Sequence, residues 1–241
     1  MERVFYLGGV DKEMREIIRV LSENNLRFYN KNLKWGAKRS DYSDLFTTDA
    51  EMVFVELNND MPQISAVDID HHGERAGEPA SLIQVLNLLG IKPTKEQMLI
   101  AAHDSEGWRG LVSAGMSHED AKRWIYPDGF EKSAIDMFNL AWERRCIIGG
   151  TTIIEMPSNE ATLASVYFAG MYDSILFFDN SKGGVGEANF FDDANKVMAL
   201  EMAFPGGWRG GSGLFNKAIK SCFWGNSSSN INDLKAFLNG L

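Results

Sequence analysis

The sequence predicts an α/β fold: a mostly parallel sheet flanked by helices, followed by a second, smaller α/β domain. Three observations carry this expectation. Short apolar runs rich in strand formers alternate with stretches of helical periodicity, the pattern of βα units. The pattern changes character after Cys146-Ile147-Ile148-Gly149-Gly150, and a Gly-rich segment follows later, Pro205-Gly206-Gly207-Trp208-Arg209-Gly210-Gly211-Ser212-Gly213. A chain of 241 residues has room for one large domain or two modest ones.

The elements follow in order. Val4-Phe5-Tyr6-Leu7 is apolar and ends at Gly8-Gly9; Met14, Ile17, Ile18 and Leu21 then recur at helical spacing. Further strands are expected over 26–29, 52–55 and 65–69. Leu82, Val85, Leu86 and Leu89 give one apolar face to a helix that begins at Pro79 and stops at Gly90. Thr94 with Gln97 makes a capping box for the next helix, and Ser117 is an N-cap for another. Helical spacing returns over 131–145. Beyond it, strands are expected at 151–156 and 174–178 and helices at 161–169 and 192–203. The expected domains are therefore 1–146 and 147–241, with Gly149-Gly150 as a hinge and Ser227-Ser228-Ser229 as a loop.

With 44% hydrophobic and 24% charged residues the composition is that of an ordinary globular protein. No apolar run approaches the ~20 residues that cross a bilayer, and no signal peptide is apparent. The net charge of −9 argues against tight, non-specific binding of duplex DNA, whose partners are normally basic, but leaves a small anionic substrate open. Two cysteines, Cys146 and Cys222, make no disulfide framework, and buried thiols in a cytoplasmic protein are the plain expectation.

Carboxylates and imidazoles fall at element ends, where open α/β sheets bind ligands. Asp11 and Glu13 follow the first strand, Glu56 follows Val53-Phe54-Val55, Asp70-His71-His72 follows Ala66-Val67-Asp68-Ile69, and His103-Asp104 follows the apolar run 98–102. Each has an ordinary reading, as a helix first turn, a loop carboxylate or the start of a loop. Together they make a mixed oxygen and nitrogen donor set suited to divalent metal, and imidazole shifts the preference from Mg²⁺ toward Mn²⁺. Without a CxxC pair, structural zinc is disfavoured. Gly-x-Gly-x-x-Gly is absent, which argues against a dinucleotide cofactor.

Ala66-Val67-Asp68-Ile69-Asp70-His71-His72, a short strand before a small-residue helix start at 78–82, resembles the signature of the DHH phosphoesterase superfamily. The other motifs follow in order: Asp11-Lys12-Glu13 resembles the family's Asp-x-Asp, Glu56 its second acidic residue, and Asp104-Ser105-Glu106-Gly107 its Asp-containing fourth motif. The Gly-rich segment, preceded by a helix, resembles the end of the DHHA1-type substrate-binding domain. The resemblance implies Asp11, Glu13, Glu56, His71 and Asp104 as metal ligands with Glu56 as the bridge. Asp70 would hold the site as a carboxylate orienting a histidine, and His72 would be a ligand or proton donor. Two ions, Mn²⁺ or Mg²⁺, would activate water for phosphoryl transfer. Gly206, Gly207, Gly210, Gly211 and Ser212 would bring backbone N–H groups to a substrate phosphate, with Trp208 and Arg209 beside it.

The implied activity is hydrolysis of phosphate esters of nucleotides or short oligonucleotides in the cytoplasm, with room for a homodimer. The chain departs from the family in having Gly8 where many members place a His, Glu at two usual Asp positions and Trp208 for the His of the Gly-rich tail. Two alternatives follow, a nucleotide-binding regulatory protein of the same fold and a pyrophosphatase or polyphosphatase. Of the remaining features, Trp35, Trp108, Trp124, Trp142 and Trp224 read as packing, with Trp108 also a candidate ligand contact, His118 as a solvated first-turn residue, and Lys34, Lys38 and Arg39 as a wet basic loop.

Overall fold

A computed structural model describes residues 2–34, 36–125, 132–157, 171–215 and 222–241. By contacts the chain groups into two compact units, Met1–Ser105 and Glu106–Leu241. The division we propose from the sequence, 1–146 and 147–241, follows the change in strand pattern instead. Trp35, the expected helix over 161–169 and residue 131 lie outside the described residues.

The first unit is built on a four-stranded parallel sheet of order β2-β1-β3-β4, with β1 Arg3–Leu7, β2 Arg27–Tyr29, β3 Glu51–Val55 and β4 Val67–Ile69. Val4 through Leu7 are fully buried, as a central parallel strand requires. Val4 and Tyr6 face a cluster with Ala37, Tyr42, Phe54 and Leu57; alternation turns Phe5 and Leu7 to the opposite face. The Tyr42 hydroxyl donates to the Leu7 carbonyl, so the aromatic layer also satisfies the end of β1. Helix α1, Lys12–Glu23, buries Met14, Ile17, Val20 and Leu21 and packs on α2, Ser81–Leu89, which ends at Gly90 in the left-handed conformation. Helix α3, Lys95–Glu106, opens with the expected Thr94–Gln97 box, and Gln97 also donates to Glu16 on α1.

One expectation fails here for a physical reason. Arg39, read as part of a wet basic loop, is 2% exposed. Its guanidinium makes a double ion pair with Asp68 on β4, donates to the carbonyls of Met61 and Ile64 at 3.3 Å each, and lies 4.7 Å from the Phe54 ring centre. A partner 29 positions away is invisible to local patterning, yet it is what makes burying that charge tolerable.

The second unit contains α4 Trp108–Ser113, α5 His118–Ile125 and α6 Lys132–Glu143. It also holds a six-stranded mixed sheet of order β5-β6-β7-β8-β10-β9. Its strands are β5 Cys146–Ile148, β6 Thr151–Met156, β7 Ile175–Asp179, β8 Val185–Asp192, β9 Trp208–Gly210 and β10 Cys222–Asn230. One face is covered by α7 Ala194–Ala203 and α8 Ile231–Asn239, around Phe178, Phe190, Val197, Leu200, Trp224, Leu234 and Leu238. Asp193 caps α7, accepting from Asn195 and Lys196.

Two sequence expectations change in this unit, and the packing role of Trp108 is met. Gly149 and Gly150, both at positive φ, are the two-residue turn of the β5–β6 hairpin rather than a hinge, and a Cβ at Gly149 would lie 1.8 Å from the Leu238 carbonyl oxygen. Ser227-Ser228-Ser229 belongs to β10, whose register shifts between Asn226 and Ser229. Trp108 is a core residue, 1% exposed, whose indole N–H donates to His118 at 3.0 Å; His118 is exposed but anchors that ring. Among the described residues no helix is long and apolar enough to cross a membrane.

Candidate metal centre

Every part of the acidic and histidine cluster lies in the first unit. Asp11 is the N-cap of α1, its Oδ1 accepting from the Met14 N–H at 2.8 Å. Two residues on, Glu13 points inward and is 1% exposed. Its Oε1 accepts from the Leu82 N–H in the first turn of α2 at 2.9 Å, a partner with the right polarity for a carboxylate. Glu56 follows β3 at φ +54, an uncommon conformation for a residue with a side chain, and its N–H donates to the Ile69 carbonyl at 2.8 Å. Asp70, His71 and His72 follow β4. Asp104, expected after a helix, sits instead in the last turn of α3.

His71, 5% exposed, is the meeting point. Its Nε2 lies 2.7 Å from Asp104 Oδ2, 3.6 Å from Glu13 Oε2 and 3.8 Å from Glu56 Oε1. All four atoms are buried, and none is aligned for a hydrogen bond. One donor atom each from Glu56, His71, His72 and Asp104 also falls within a 4.8 Å span. Buried polar atoms without partners are expensive in a folded protein. Oxygen and imidazole donors converging in this way fit a divalent cation, which would satisfy all of them at once. Asp70 turns elsewhere: its Oδ1 accepts from both the backbone N–H and Nδ1 of His72, each at 2.9 Å, and the His72 ring lies beside that of His71, tilted by 43° with centres 4.3 Å apart.

The electrostatics follow from this crowding. Burial drives the Glu13 carboxyl up to about 7 against the pull of His71. Burial and the neighbouring Glu13 and Asp104 charges push Glu56 well above the ordinary carboxylate range. Asp11 is raised by burial and by Asp104. Burial disfavours the His71 imidazolium, but the Asp104 and Glu13 carboxylates outweigh it and carry its pKa to about 10. Burial acts on Asp104 too, yet His71 holds it below its usual value. A cation entering at neutral pH therefore displaces a proton from His71, and below about 7 one from Glu13 as well. Mn²⁺ affinity is expected to weaken as pH falls from about 8 to about 6, by roughly tenfold per unit for each proton displaced. Calorimetric titration across that range checks it, and a flat profile would remove Glu13 and His71 from the ligand set.

Sequence patterning missed the supporting residues. Gly8 is needed because a Cβ there would lie 2.4 Å from the Glu56 carbonyl oxygen, so β1 and the end of β3 can approach only at glycine. Gly8→Ala is expected to cost about 1–3 kcal/mol of stability through that overpacking, read as a lower thermal midpoint. Gln84 donates to the Asp70 carbonyl at 2.8 Å, and Arg75 to the Asp68 carbonyl at 3.1 Å, holding the chain around the histidines.

The Gly-rich segment lies in the second unit. Trp208, Arg209 and Gly210 form β9, an edge strand paired with β10, where a loop was expected; Gly206 and Gly211, both at positive φ, flank it. The Trp208 indole lies over Gly225, where a Cβ would come 2.3 Å from the ring, and it is 41% exposed.

No family model matches the chain, and no curated protein does. Among solved structures, PggH of Vibrio cholerae, described as a pGpG-specific phosphodiesterase, aligns over 100% of this chain and 98% of that one, at 11% identity and a TM-score of 0.46. At that level of likeness the case for function rests on the cluster itself.

Proposed function

We propose that the protein is a metal-dependent phosphoesterase acting on phosphate esters of nucleotides or short oligonucleotides. The observation that carries the reading is the convergence of four buried donor atoms on Glu13, Glu56, His71 and Asp104, none of them in an aligned hydrogen bond. Those residues would hold the cation; Mn²⁺ suits a set that includes imidazole, with Mg²⁺ the alternative. When bound, the cation supplies Lewis acidity toward a phosphoryl oxygen and makes water a better nucleophile.

The chain's own groups do the rest. Asp70 takes the Nδ1 proton of His72 in a hydrogen bond, which fixes the ring and leaves Nε2 as the atom that gives or takes a proton at the leaving oxygen. In the second unit, which we propose as the substrate-binding domain, Gly206, Gly207, Gly210, Gly211 and Ser212 would offer backbone N–H groups to phosphate. Trp208 presents an indole that can stack on a base, and Arg209 adds charge for an anion. Trp208 in place of a phosphate-contacting His also favours a second reading, a nucleotide-binding regulatory protein.

Turnover by metal-stripped protein with added Mn²⁺ or Mg²⁺ separates these readings. The panel holds a generic phosphodiester, 3′,5′-bisphosphoadenosine, cyclic dinucleotides, short RNA and DNA oligomers, and pyrophosphate. Metal-dependent cleavage of a nucleotide supports the proposal, and cleavage of pyrophosphate alone would replace its substrate. Silence across the panel, with a nucleotide still raising the melting temperature, would favour the regulatory protein.

A further inference from the structure

We propose that the second unit carries a binding cleft for a nucleobase with an exocyclic amine, sharing no residue with the metal centre. Among the described residues a cleft of about 420 Å³ opens there, within the roughly 300–1,000 Å³ of small-molecule sites. Its lining comes from α4 and its flanks, the start of α5 and the segment before β7, all within Glu106–Leu241. The chemistry of that lining selects a planar, uncharged ligand with both donors and acceptors. Taking that ligand to be a nucleobase rests on the nucleotide reading above.

The polar groups of the lining are set by their neighbours. An indole N–H only donates, so Trp108, at 3.0 Å, makes His118 Nδ1 the acceptor. A ring that accepts there is neutral and carries its proton on Nε2, as a donor. Arg109, its side chain 27% exposed, pairs at 2.9 Å with Asp173, which is 93% exposed, and Glu106 adds a second exposed carboxylate. Tyr172 supplies the flat wall. It stacks on Trp142 with ring centres 5.1 Å apart, and Trp142 is braced by Phe138 at 5.8 Å and by the Arg145 guanidinium at 4.8 Å. Trp142 does not line the cleft, so Tyr172 stands in the wall on a fixed backing, a platform for a planar base. Charge then narrows the ligand. Two carboxylates against one guanidinium leave the lining net negative, which opposes a phosphate. A neutral ring meets no such penalty; it needs N–H donors for Glu106 and Asp173 and acceptors for Arg109 and His118. Adenine, guanine and cytosine each carry an amine beside ring or carbonyl acceptors, and uracil lacks the amine.

Calorimetric titration of the full-length, metal-stripped chain with adenosine, guanosine, cytidine and uridine tests this. Nucleosides carry no phosphate, so the result is separate from the metal site. The expected result is saturable binding of an amine-bearing nucleoside at least about tenfold tighter than uridine, the scale of one hydrogen bond to a charged group. Tyr172→Ala is expected to weaken that binding about tenfold and Tyr172→Phe to leave it within about twofold, because the ring and not the hydroxyl stacks. Glu106→Gln, at an exposed position, is expected to narrow the preference over uridine roughly fivefold; it decides the matter if Tyr172→Ala fails to fold. Binding of no nucleoside, uridine binding as tightly as the others, or no change in either variant would overturn the cleft and leave the phosphoesterase reading standing. Nucleoside binding without turnover of any phosphate ester would overturn that reading and leave the cleft standing.

Discussion

Asp104→Asn is expected to lower metal-dependent turnover by on the order of 10³-fold, the scale of losing a preorganised charge at a reacting centre, while the fold stays intact. The amide keeps the shape of the carboxylate and removes its charge, 2.7 Å from His71 Nε2. Helix α3 does not depend on that charge for its position. Its start is held by the Thr94–Gln97 box and by the Gln97–Glu16 hydrogen bond, about two to three turns away from Asp104 at about 3.6 residues per turn. The variant also removes the group that does most to hold the His71 proton, so the His71 pKa should drop. Steady-state turnover with Mn²⁺ and a melting curve on the same preparation check both halves. Undiminished turnover would take the cluster out of the reaction.

Asp68→Asn is expected to destabilise the first unit by about 3 kcal/mol, at the low end for breaking a buried ion pair by removing one partner. The asymmetry of the pair sets the direction. The Asp68 side chain is 40% exposed and can return to water, whereas Arg39 is 2% exposed and would keep only neutral partners, the carbonyls of Met61 and Ile64, the Phe54 ring and the new amide oxygen. Removing the acid therefore strands a buried guanidinium, and Arg39→Met should cost less than Asp68→Asn. Denaturant unfolding of the two variants measures the order. Equal costs would mean that solvent reaches Arg39 once its partner is gone.

The elements that local chemistry specifies were legible. Val4 to Leu7, the spacing of Met14, Ile17 and Leu21, the Thr94–Gln97 box and the Gly90 stop each state a conformation within a few residues, and each is found. Strands β5, β8, β9 and β10 and helix α8 escaped, as did the short helix α4. Strand β10 carries Gly225 and three serines, a composition poor in strand formers. It extends because β8 and β9 pair on either side of it, and because Trp208 covers Gly225 as Phe223 covers Gly210.

What the sequence by itself determined is a parallel α/β unit and the residue types gathered at its strand ends. A carboxylate after a strand is a statement about backbone order, and order along the chain is enough to make it. What only the tertiary structure decided is how those residues divide the work. Glu13, Glu56, His71 and Asp104 come from four separate segments and bring buried donor atoms around one point. Asp70 turns to His72, Asp11 to its helix, and Arg39 goes from a wet loop to a buried support for β4. Those outcomes depend on which distant groups meet and on how much water is left between them, and no local stretch of sequence carries that information.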